Sequence, residues 1–71
     1  VEIRFSGIRD KTLQDLLIAH GYDADGDKSV TRSTTYLIVP YEGYTSAKVV
    51  KANKYNVKII TEDYARYCLC K

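Results

Sequence analysis

The segment that most constrains this chain is Tyr36-Leu37-Ile38-Val39, a continuous apolar run with Thr34-Thr35 before it and Pro40 after it. Successive side chains of a strand point to opposite faces of its sheet, so an unbroken apolar run places apolar groups on both. Such a strand is stable where both faces are covered, as in a parallel sheet packed between helices. Pro40 has no amide hydrogen to give to a ladder and ends the strand. The chain has 71 residues, 45% apolar and 28% charged, which is ordinary globular composition for one small domain.

The remaining pattern fits that frame. Val1, Ile3 and Phe5 alternate with Glu2 and Arg4, the period of a strand, which Ser6-Gly7 then breaks. Asp10 is placed to cap a helix from Lys11 to about His20, with Leu13, Leu16, Leu17 and His20 on one face and Gly21 at the C-terminal cap. Tyr22–Asp25 reads as a brief edge strand and Asp25-Gly26-Asp27 as a turn. Thr34–Val39 is the central strand, and its two threonines are expected to bond loops at its start. Thr45 or Ser46 can cap a second helix running to about Tyr55, with Val49 and Ala52 inward, Val50 as a third inward candidate, and Lys48, Lys51 and Lys54 along the outer side. Val57–Ile60 is a further short strand. Thr61 then caps a last helix from Glu62 to Leu69, whose acidic first turn suits the helix dipole. The order is β-α-β-β-α-β-α, an α/β fold with a small four-stranded, mostly parallel sheet flanked by three helices, expected to form one domain over residues 1–71. The chain opens directly into a strand with no initiator Met, as expected of a domain cut from a larger protein.

Net charge is only +2, but the charges are segregated. Residues 1–27 hold three Lys/Arg against six Asp/Glu, whereas residues 28–58 hold six Lys/Arg against the single acid Glu42. A local excess of positive charge attracts a phosphate-bearing partner where the whole-chain charge would not. The apolar runs are far shorter than the ~20 residues needed to span a bilayer, so no membrane segment is expected. Cys68, Cys70 and His20 are too few and too scattered for a structural zinc site, and no metal or cofactor is expected. The two cysteines read as ordinary reduced thiols of an intracellular protein, nuclear in a eukaryote and cytoplasmic otherwise. No Ser-His-Asp set, phosphate-binding G-x-x-x-x-G-K-[ST] loop or metal constellation is present, so no catalytic residue is assigned and any chemistry is expected elsewhere in a parent protein.

The order of elements and their punctuation resemble the BRCT family across essentially the whole chain. The resemblance is carried by F-S-G-I after the first strand, D-K-x-L-x-x-L-I-x-x-x-G in the first helix, T-T-Y-L-I-V in the central strand, S-x-K-V-x-K-A in the second helix, and I-I-T-E-D-Y. It is similar to the single repeats of DNA ligases, clamp-loader subunits and repair proteins. Two positions depart from the family pattern. Tyr22 stands at the second place of a frequent Gly pair, and Tyr64 stands where the family has a Trp, where it is expected to fill the same core site.

The resemblance implies a non-catalytic recognition module with a phosphate pocket. By motif the pocket falls on the hydroxyl of Ser6, the backbone N–H of Gly7 and the ammonium of Lys48, with Ser46 as a further donor. A small hydroxyl beside a glycine lets an anion approach the backbone, and a helix start adds partial positive charge that a lysine one turn inside completes. Seven tyrosines interleave with lysines. Tyr36 and Tyr64 are expected in the core, and Tyr41, Tyr44 and Tyr55 at the surface. Tyr44, Lys51 and Lys54 are thus candidate DNA contacts. Three readings stay open: a DNA-binding module taking a 5′-phosphate end or the backbone, a module binding a phosphorylated protein, and a structural contact domain without phosphate binding.

Overall fold

A computed structural model describes residues 1–8 and 10–69. The elements are β1 (Glu2–Phe5), α1 (Lys11–Ala19), β2 (Asp23–Ala24), β3 (Thr34–Val39), α2 (Ala47–Lys54), β4 (Lys58–Thr61) and α3 (Glu62–Cys68). The four strands form one sheet in the order β2-β1-β3-β4, and every pairing is parallel. Arg4 lies opposite Leu37, and Leu37 opposite Ile59. No described helix is long and apolar enough to cross a membrane.

The apolar run of β3 divides between two cores, as its lack of alternation requires. Ile38 joins Ile3, Phe5, Leu13, Leu17, Ala24, Ile60 and Ala65 beneath α1 and α3. Leu37 and Val39 join Val30, Val49, Ala52 and Val57 beneath α2 on the opposite face. Each helix starts on a side-chain cap: Asp10 accepts from the Leu13 amide, Ser46 from Val49 and Thr61 from Tyr64. Gly21 follows the His20 cap of α1 at φ +90°, the left-handed conformation that glycine adopts without penalty.

Several expectations are corrected. Leu16 is 44% exposed and His20 is exposed, because a helix of nine residues above a narrow sheet buries only the stripe of Leu13 and Leu17. Val50 also faces solvent. Tyr64 is 42% exposed and does not fill a core site. The buried residue of α3 is its neighbour Ala65, and the Tyr64 ring lies at the sheet edge with the Lys58 ammonium 5.7 Å from its centre. Tyr41 is exposed as expected, but Tyr44 and Tyr55 are half-buried against the α2 core. Of the two threonines, Thr34 accepts from the Thr31 amide at 3.0 Å, whereas Thr35 is exposed. Cys68 is exposed, and Cys70 lies outside the described residues.

Arg4 departs furthest from its pattern. Alternation places it on a solvated face, yet it is only 2% exposed. Ile3, Arg4 and Phe5 are all buried, so neither face of β1 is free. The guanidinium is held by Glu2 Oε1 at 2.7 Å and by the carbonyl oxygens of Ile3 and Asp23 at 3.0 and 2.9 Å. Its Nε is the one buried side-chain donor without a partner among the described residues.

Candidate functional site

In a parallel sheet every helix that follows a strand starts at the strands' carboxyl end. Here α1 leaves β1 on one side and α2 leaves β3 on the other, so the chain parts between these adjacent strands. Open α/β sheets bind ligands at such a switch point. The Ser6-Gly7 loop and the start of α2 meet there.

Ser6 ends β1, its amide donating to the Ile38 carbonyl at 2.9 Å. Its side chain is 7% exposed, and its Oγ lies 2.6 Å from the Oγ of Ser46. That same Ser46 oxygen accepts from the Val49 amide at 3.3 Å, so the α2 cap and the β1 loop share one hydroxyl pair. Lys48, in the first turn of α2, crosses to the sheet. Its ammonium donates to the carbonyl oxygens of Phe5 at 2.9 Å and Gly26 at 3.3 Å. A lysine has three N–H donors, and these two bonds leave one for a ligand.

Gly7 adopts φ +74°. A Cβ built there would lie 2.4 Å from Cζ and Oη of Tyr44, so the tyrosine ring rests directly on the glycine backbone. Tyr41 meets the Tyr44 ring edge-on, with centres 5.6 Å apart. Tyr44 is therefore a wall of the Ser6-Gly7 loop rather than the surface side chain expected for stacking on a base.

A cleft of about 490 Å³ opens beside this loop, lined by Gly7, Lys48, Lys11, Gln14 and both Asp10 and Asp27, among others. Gly7 and Lys48 thus share a wall, while Ser6 and Ser46 pair with each other and do not line it. Sequence reasoning missed Lys11 and Gln14. The signal was available, since α1 must begin at the same end of the sheet as α2. Asp10 is neutralised from behind by Arg66 of α3, which also bonds Glu62 at 2.7 Å. The Leu13 amide, bonded to the ionised carboxylate, holds Asp10 below its ordinary pKa, helped by Glu62 and Arg66. Glu62 is pushed up, chiefly by its hydrogen bond to Asp10.

Lys51 and Lys54 are exposed on α2 and lie outside the cleft. The Lys54 ammonium stands 5.7 Å from the centre of the Tyr55 ring, as does the guanidinium carbon of Arg32. No group of three or more His, Cys, Asp or Glu side chains is placed to hold a metal ion among the described residues.

No family model matches the chain. A DNA ligase of Sorangium cellulosum (strain So ce56) is 41% identical to it over 49 residues, 65% of this chain. Those residues cover 7% of the ligase, so what this chain is similar to is a short stretch of a far longer DNA ligase.

Proposed function

We propose that residues 1–71 form a single BRCT-like domain, a non-catalytic module that holds a phosphate-bearing DNA end, belonging to a DNA-joining or repair protein. The observation that carries this reading is the reach of Lys48. Its ammonium is anchored on the Phe5 and Gly26 carbonyls, in the same cleft wall as Gly7. That anchoring holds a full positive charge at the carboxyl end of the sheet, where an oxyanion finds both it and the start of α2. The Ser6–Ser46 hydroxyl pair ties the Gly7 loop to the start of α2 and so fixes the two sides of the site. Similarity to part of a DNA ligase supports DNA as the source of the phosphate.

The test is a nitrogen-15 NMR titration of the 71-residue chain with inorganic phosphate, a phosphoserine peptide, and a duplex with or without a 5′-phosphate. The phosphorylated duplex is expected to shift Gly7 and Lys48 more than its unphosphorylated twin. A Gly7 amide that moves with none of the four removes the pocket. Movement with the peptide alone replaces DNA with a phosphorylated protein.

A further inference from the structure

The ion pairs of the described residues are distributed unevenly. Arg4 and Arg66 meet Glu2, Asp23, Asp10 and Glu62 around β1, β2, α1 and α3. On the α2 side, Arg32, Lys51 and Lys54 have no carboxylate within ion-pairing distance among the described residues. Arg32 precedes β3 at the amino end of the sheet, and Lys54 is the last residue of α2, which runs back toward that end. Both cations are drawn to one ring, Tyr55, each 5.7 Å from its centre. Tyr55 is itself fixed, because it packs against Val49, Ala52 and the rest of the α2 core. A fixed ring restrains the Arg32 guanidinium through cation–π attraction, and a restrained planar fork loses less freedom when it engages a phosphate.

We infer that Arg32 and Lys54, seated on Tyr55, form a second phosphate site that takes the sugar-phosphate backbone of the DNA strand whose end lies at Lys48. Lys51 stands between the two sites. The six residue steps from Lys48 to Lys54 rise about 9 Å along α2. Along the helix axis these lysines therefore step from the carboxyl end of the sheet toward its amino end. A nucleic-acid strand carries one charge at every nucleotide step, and this matches a row of cations free of acids. The inference rests on the DNA reading above for the identity of the polymer and the position of its end, while Arg32, Lys54 and Tyr55 themselves lie outside the Gly7 cleft.

The two readings separate by measurement. Affinity for a duplex with and without a 5′-phosphate is measured by fluorescence anisotropy from 50 to 200 mM salt. Arg32→Ala and Lys54→Ala are each expected to reduce the slope of log K against log salt by about 1, with the preference for the 5′-phosphate unchanged. Across that fourfold change in salt, each variant then loses about 3.5-fold less affinity than the parent. Tyr55→Leu is expected to weaken binding several-fold while keeping the parent slope, and Tyr55→Phe to restore it. Thermal melts confirm that each variant is folded. Unchanged slopes for Arg32→Ala and Lys54→Ala overturn the second site even if Lys48→Met abolishes the 5′-phosphate preference. Equal binding by Tyr55→Leu and the parent overturns the seating role of the ring. Binding of an acidic peptide with the same Arg32 and Lys54 dependence, and none of DNA, overturns the polymer and the DNA reading together.

Discussion

Gly7 answers two demands in one residue. Its φ of +74° disfavours any side chain, and the Tyr44 ring occupies the place where a Cβ would stand. Gly7→Ala is expected to cost about 1–2 kcal/mol from the left-handed backbone alone, with a further penalty from displacing Tyr44. Urea unfolding of Gly7→Ala in the parent and in a Tyr44→Ala background separates the two parts, and only the backbone part should survive in the latter. Asp10 offers a second measurement. A carboxyl held below its unfolded pKa contributes stability above that value and loses it as pH falls through the folded value. Its contribution is therefore present at neutral pH and fades below roughly pH 4. Glu62, pushed the opposite way, contributes most at low pH and loses its share as pH rises through its raised value, partly offsetting Asp10. Asp10→Asn keeps a capping side chain but no charge, so the stability gap between parent and variant should close as thermal melts are run from pH 5 to pH 3.

At the scale of elements, α1 is a helix whose thin buried stripe decides what each leucine contributes. Leu17 is fully buried, whereas Leu16 beside it is largely in water. Leu17→Ala is expected to destabilise by about 2–5 kcal/mol, and Leu16→Ala by well under 1 kcal/mol, both read from chemical denaturation. The stripe was only partly legible in the sequence. Periodicity gives the face of a helix but not the width of sheet beneath it, and the four-stranded sheet is too narrow to cover Leu16. The caps Asp10, Ser46 and Thr61 and the double-faced β3 were legible, since each depends on a few adjacent residues. Val30 was not, because a lone apolar residue in a polar loop carries no periodic signal, yet it is fully buried beneath α2. Arg4 was misleading for a different reason. Its alternation with Ile3 and Phe5 is genuine, but the burial of its face depends on what distant parts of the chain pack over β1. The candidate site followed the same division. Gly7 and Lys48 line one cleft, whereas Ser6 and Ser46 bond each other outside it, Tyr44 packs on Gly7, and Lys11 enters from a neighbouring helix.

Across the whole molecule, the feature with the widest reach is the interior position of β1. Its strand neighbour along the chain is the two-residue β2, a pairing too short to hold a sheet together by itself. The pairing that matters joins Arg4 to Leu37 and Phe5 to Ile38, residues more than thirty positions apart. β3 in turn packs beside β4, which follows only after α2. The first third of the chain therefore has little to fold onto until β3 has been made. During synthesis α1 and β2 should stay unprotected from proteases while the later strands are still inside the ribosome. In refolding, such distant pairings place the rate in milliseconds or slower rather than the microseconds typical of helical bundles of this size. Stopped-flow mixing should show a single slow phase in which the two faces of the sheet are covered together.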